Sequence, residues 1–188
     1  MRIVTVLGAG LLAASSAAMA NGLDFQLGNN TAQLEFYTGS SALGYSGGEV
    51  GFGGFVNSRH DVIGNASVKV EGLAAGQTPL SFGLGVKAYA GSIDKPNVNV
   101  GAIALGGLVK YTIPYRMPMA VVLEGYYAPN ITTFGQGKSL SDLSLDYQIE
   151  VTPGATAYVG YRVLQANLKN YGEYKLDNAL HVGIRLHF

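Results

Sequence analysis

Cysteine and tryptophan are both missing from the 188 residues, and beyond the first twenty no apolar run reaches the eighteen or so residues that a membrane helix needs. Without cysteine the fold has neither disulfides nor a thiolate metal cluster, so backbone pairing and packing must hold it. Charge is scarce and balanced, with 12 Lys+Arg against 12 Asp+Glu. That balance leaves no basic field to recruit nucleic acid. What the chain does have is a distributed 48% of hydrophobic residues, 27 glycines and 12 tyrosines. Apolar residues that are spread out in this way belong to many short elements and not to one greasy helix.

The N-terminus reads as an export signal. Met1-Arg2 supplies a short positive start, residues 3–14 an apolar run, and Ala18-Met19-Ala20 an A-x-A cleavage site. Residues 1–20 are therefore expected to be a signal peptide cut after Ala20, leaving one domain over 21–188. Arg2 is the only charged residue lost, so 11 bases would face 12 acids, a net charge of −1. Gly8, Gly10 and Ala13 after an apolar stretch mimic the G-x-G-x-x-A turn of a dinucleotide fold. That fold needs a helix returning onto a parallel sheet and an acid about twenty residues on, and short alternating segments follow here instead.

From Asn21 onward about ten segments alternate apolar with polar or small residues, separated by Gly, Asn, Asp, Ser and Pro. They cover residues 23–27, 31–38, 48–57, 62–71, 80–91, 98–112, 119–128, 140–152 and 155–166, and a terminal strand that ends on Phe188. In that last strand Leu180, Val182, Ile184, Leu186 and Phe188 share one face, and His181, Gly183, Arg185 and His187 the other. A two-faced final strand ending in an aromatic resembles the closing strand of bacterial outer-membrane barrels, which implies that Phe188 acts as an assembly signal. The expected fold is all-β, an antiparallel transmembrane β-barrel of about ten strands, or eight if 23–27 is not a separate strand. The phase of 98–112 slips at Gly106-Gly107, predicting a bulge there and leaving the face of Lys110 open. Short turns at 113–118 and 153–154 alternate with longer polar connections at 129–139 and 167–177. This fits short periplasmic turns and longer outer loops, with the C-terminus in the periplasm.

Extending the alternation assigns Glu35, Lys69, Glu71, Lys87, Glu124, Asp146, Glu150, Arg162 and Arg185 to the polar face. Five acids and four bases nearly cancel. In a soluble lipocalin-like barrel they would face water, whereas in a membrane barrel they would line the lumen, where charges are tolerable when paired. Inward glycines such as Gly83, Gly85, Gly160 and Gly183 would relieve crowding in a narrow interior. Tyr111, Tyr115, Tyr126, Tyr127, Tyr158 and Tyr161 are candidates for the interfacial belt that tryptophan would otherwise supply.

Leu123-Glu-Gly-Tyr-Tyr-Ala-Pro-Asn130, Asp146-Tyr147, Ala157-Tyr-Val-Gly-Tyr-Arg-Val163 and Val182-Gly-Ile-Arg-Leu-His-Phe188 resemble the YfaZ family of Gram-negative outer-membrane proteins, over nearly the whole chain after residue 20. The resemblance implies an integral outer-membrane barrel with no catalytic or ligand residues to carry over. No local pattern supplies an active site either. His60-Asp61 reads as a solvated turn. His181 and His187 lie six residues apart on one strand, roughly 20 Å, too far to share a metal. No serine has a base placed by local spacing. The expected role is a structural or weakly permeating barrel, not an enzyme, with a charge-paired narrow lumen and no cofactor or metal. The alternatives are an outer-membrane enzyme acting on lipid or peptide substrates, a small porin-like channel, or an adhesin, the last weakened by connections of about eleven residues at most. Expected partners are outer-membrane lipid and the barrel-assembly machinery, with no nucleic acid and a monomeric state.

Overall fold

A computed structural model describes residues 21–39, 48–73, 79–115 and 117–188. The expected signal peptide over 1–20 and its cleavage site lie outside the described residues. Strands run β1 Gly22–Gly28, β2 Thr31–Gly39, β3 Gly48–Asn57, β4 Val62–Leu73, β5 Leu80–Ile93, β6 Val98–Ile113, β7 Met119–Ala128, β8 Thr133–Gly135, β9 Gly137–Thr152, β10 Ala155–Leu168 and β11 Gly172–His187. Each pairs antiparallel with its neighbours. β1 pairs with β11 from Gly22↔His187 to Gly28↔His181, which closes the sheet on itself.

Ten strands form the ring. The extra strand, β8, occupies no new position, because it continues the place of β7 beside β6: β7 pairs with 105–113 and β8 with 100–102. Between them the chain leaves the wall after Pro129 and makes a short 3-10 turn, Asn130–Thr132. The ring has two ends. The terminal rim holds residues 22 and 187; the far rim holds the turns at 29–30, 58–61, 94–97, 129–136 and 169–171.

Alternation explains the two faces of the wall. Leu84, Leu105, Leu180 and Val182 are among the most exposed large apolar side chains described, while Lys87, Arg162 and His181 are buried. The outer face is thus apolar along the wall, while the inner face carries charge in one part and an apolar core in the other.

The expected bulge at Gly106-Gly107 is absent. β6 pairs continuously with β5 through Gly85↔Gly106 and Leu84↔Gly107, and Lys110 faces the lumen. The apparent slip arose because the first half of β6 turns Val98, Val100, Ala102 and Ala104 inward, into a local apolar core, so polarity there does not report the face. Register shifts fall instead on β10, at Ala155/Thr156, Leu164/Gln165 and Asn167/Leu168. The connections expected at 129–139 and 167–177 are also shorter than the polarity suggested: β10 and β11 flank a three-residue turn at 169–171, and β9 begins at Gly137. His60, Asn97 and Asn170 take left-handed backbone angles in three of the far-rim turns, conformations that Asn in particular accepts at low cost.

Candidate functional site: a lumen closed at one end

The interior is divided along the barrel axis. Toward the far rim it is a dry core in which Phe55, Ile93, Val100, Ala104, Leu140, Leu164 and Leu176 pack together. Above that core, side chains cross the far mouth. The Asp61 carboxylate accepts hydrogen bonds from Asn57 Nδ2 (2.8 Å), the Tyr174 hydroxyl (2.8 Å) and the Asp94 N–H (2.9 Å), tying the β3–β4 turn to β11 and to the β5–β6 turn. The Arg59 guanidinium adds a bond to the Lys175 carbonyl and stacks 4.9 Å from the Tyr174 ring centre.

Beneath the core lies a charged hub. Arg162 makes a two-pronged bond to Asp142, Nε to Oδ1 at 2.8 Å and Nη2 to Oδ2 at 2.7 Å, and its Nη1 reaches Gln33 on β2. Tyr89 on β5 donates its hydroxyl to Asp142 Oδ2 at 2.7 Å, and Lys87 stands 3.9 Å from the same oxygen. The hub therefore bridges β9 and β10 to β2 on one side and β5 on the other, across the lumen and not merely along the wall. Burying these ions is tolerable because each faces an opposite charge, Arg162 through a two-pronged bond and Lys87 at ion-pair distance.

Between the hub and the terminal rim is a polar cavity of about 120 Å³, room for a few waters. Its remaining pairs are Lys69–Glu49 at 2.9 Å, Arg185–Asp24 at 2.8 Å, Lys110–Glu71 at 3.9 Å and His181–Asp146 at 2.7 Å. Glu35 accepts from Gln33 (3.2 Å) and Ser67 (3.3 Å), and Glu124 faces the ammonium groups of Lys69 and Lys87. Side-chain exposure rises steadily along the axis, from 5% at Arg162 through 15% at Lys69 and 29% at Arg185 to 38% at Glu71. Among the described residues the interior is thus filled toward the far end and loosens toward the terminal rim.

Three inward glycines make this packing possible. Gly160 on β10 stands opposite both Asp146 on β9 and His181 on β11, and a Cβ there would collide with the Asp146 carboxylate. The Tyr158 ring lies over Gly183 to donate its hydroxyl to Asp24, and Tyr37 lies over Gly22 to reach the Leu186 carbonyl at 2.8 Å. An aromatic laid across a strand glycine fills the gap that the missing side chain leaves.

Eight of the nine charges expected on the polar face, Glu35, Lys69, Glu71, Lys87, Glu124, Asp146, Arg162 and Arg185, line this cavity. Glu150 does not. The register shift at Ala155/Thr156 falls beside it, and its backbone N–H bonds to the Pro118 carbonyl at the end of the strand. Asp24, Glu49 and Asp142 also line the lumen and were not singled out from sequence, although each keeps the inward phase of its strand. Tyr126 and Tyr158, counted as belt candidates, point inward, whereas Tyr111, Tyr115, Tyr127 and Tyr161 are exposed. Of the histidines, His60 is an exposed turn residue, His187 packs edge-on against Tyr37 at 5.2 Å, and His181 is buried. Phe188 is exposed at the terminal rim, its N–H bonded to the Asn21 carbonyl at 2.9 Å. Among the described residues no three His, Cys, Asp or Glu side chains are grouped as a metal site.

Fold and interior together define a closed antiparallel β-barrel with an apolar outer wall and a charge-paired lumen. The YfaZ precursor family matches residues 1–188, and the chain belongs to that family. Among solved structures it is similar to the outer membrane channel DcaP of Acinetobacter baumannii, with a TM-score of 0.44 and 8% identity over 88% of this chain. The chain spans 54% of the length of that channel. A search of curated proteins returned no match.

Proposed function

We propose that this protein is an integral outer-membrane barrel whose role is structural or weakly permeating, sealed by its own side chains and carrying out no catalysis. One observation carries the reading: an outer wall of exposed Leu, Val and Phe encloses an interior whose charges are bonded to one another across the lumen. A wall of that kind suits hydrocarbon, and a lumen cross-braced by Arg162, Asp142, Tyr89 and Gln33 offers no continuous water column. The reading also takes the terminal rim as periplasmic and Phe188 as the signal for the assembly machinery.

The enzyme alternative would have to rest on the His181–Asp146 pair. His181 is buried, Asp146 holds its Nε2, and among the described residues its Nδ1 meets no hydrogen-bond partner, so none of their serines stands where a nucleophile would. A porin would need the hub to open.

Two measurements test the proposal. The folded chain in outer-membrane fractions is expected to migrate differently on SDS gels before and after boiling, and to give little or no steady conductance in planar bilayers. Recovery from soluble periplasm with unchanged mobility overturns the membrane placement; a large stable channel overturns the sealed lumen.

A further inference from the structure

The far rim carries cations that the lumen does not use. Lys169, in the β10–β11 turn, lies against β8: its N–H bonds to the Gln136 carbonyl at 2.8 Å and its Nζ to the Gly135 carbonyl at 3.1 Å, which leaves two ammonium protons free to bind. Lys138 is exposed at the start of β9, where Gly137 pairs with Leu168, so both lysines belong to segments that adjoin the end of β8. Neither lysine has a carboxylate within 4 Å among the described residues, unlike Lys175 beside Glu173 and Arg59 beside Asp61.

Exposed apolar side chains lie on the same far-rim segment. Ile131, in the 3-10 turn that leaves the wall, is 87% exposed, the most of any large apolar side chain described, and Phe134 on β8 also projects outward. Phe134 lies over Gly101, its partner on β6, so its ring covers the outer face of the wall, whereas Ile131 stands clear in the turn.

We infer that Lys138 and Lys169, with Ile131 and Phe134, form a docking site for a phosphate-bearing lipid in the leaflet that the far rim faces. The inference rests on the membrane placement proposed above. Two uncompensated cations at the edge of an apolar wall match the two halves of such a molecule, an anionic head group and acyl chains, and exposed lysines beside a hydrocarbon band are suited to reach head groups. Two lysines are too few for a polyanion such as nucleic acid, whose binding is built from many phosphate contacts.

The test is native mass spectrometry of the refolded full chain, with a bisphosphorylated, hexa-acylated glucosamine disaccharide lipid as probe and its dephosphorylated counterpart as control. Wild type is expected to retain the phosphorylated form selectively, and Lys138→Gln/Lys169→Gln to weaken retention on the order of tenfold or more. Lys95→Gln, at the same rim in the β5–β6 turn, is expected to leave it unchanged. Should the double variant fail to fold, Lys138→Gln alone still has to weaken retention. Equal retention of the dephosphorylated lipid, wild-type retention by the folded variants, or an equal loss in Lys95→Gln overturns the site. A chain that enters phosphatidylcholine vesicles but shows no phosphate preference overturns the site alone. A chain that does not enter them overturns the membrane reading with it.

Discussion

His181 and Asp146 sit on β11 and β9, strands that never pair with each other, yet Nε2 of one stands 2.7 Å from Oδ1 of the other. The bond passes over Gly160 of the intervening β10, which is opposite both residues. A missing side chain on one strand thus creates a direct link between its two neighbours.

Gly160→Ala is therefore expected to cost about 1–3 kcal/mol, because the new methyl group occupies the space of the Asp146 carboxylate and drives it away from the buried His181 imidazole. Gly54→Ala is the matched control, since a Cβ at Gly54 meets nothing within 4 Å. It should change stability by less than about 0.5 kcal/mol. Urea unfolding in vesicles measures both, and equal effects would contradict the bridging role of Gly160.

The hub gives a sharper test. Arg162→Ala leaves Asp142 buried beside only Lys87 and Tyr89, and is expected to cost about 3–5 kcal/mol and to raise conductance as water enters around the unpaired carboxylate. Replacing Arg162 and Asp142 together removes both charges, so the double variant should lose less than the two single losses combined. Additive losses and unchanged conductance would mean that the pair neither braces nor seals the lumen.

How much of this was legible in the sequence follows from where alternation carries chemical contrast. In the terminal strand, Leu180, Val182 and Ile184 against His181, Gly183 and Arg185 declare their faces, and the structure keeps them. In the first half of β6 both faces are apolar or small, so the same rule had nothing to read. Asp142 and Asp24 share the phase of residues that were assigned inward, and following that phase to the strand ends would have found them. Their partners are another matter. That Arg162 reaches Gln33 on β2, 129 residues away, depends on closure of the ring, which no local pattern contains.

The outer wall makes its own prediction. Leu84 is 78% exposed near the middle of β5, so Leu84→Arg should cost about 2–4 kcal/mol if that surface meets the bilayer centre. In a barrel surrounded by water the same change would be close to neutral. Refolding titrations into vesicles measure the cost, and a near-zero value would remove lipid from the outer face.

Phe188 separates folding energy from assembly. Its ring is largely exposed, and its main contribution to the barrel is the backbone N–H given to the Asn21 carbonyl, a bond that any residue other than proline can make. Phe188→Ala keeps that bond, so the purified and refolded variant should unfold within about 0.5 kcal/mol of wild type. In cells, by contrast, the amount of heat-modifiable protein in the outer membrane should fall several-fold, because the terminal aromatic is lost to the assembly machinery. A variant destabilised in vesicles as much as it is depleted in cells would assign Phe188 to packing. A variant unaffected in both would remove it from assembly altogether.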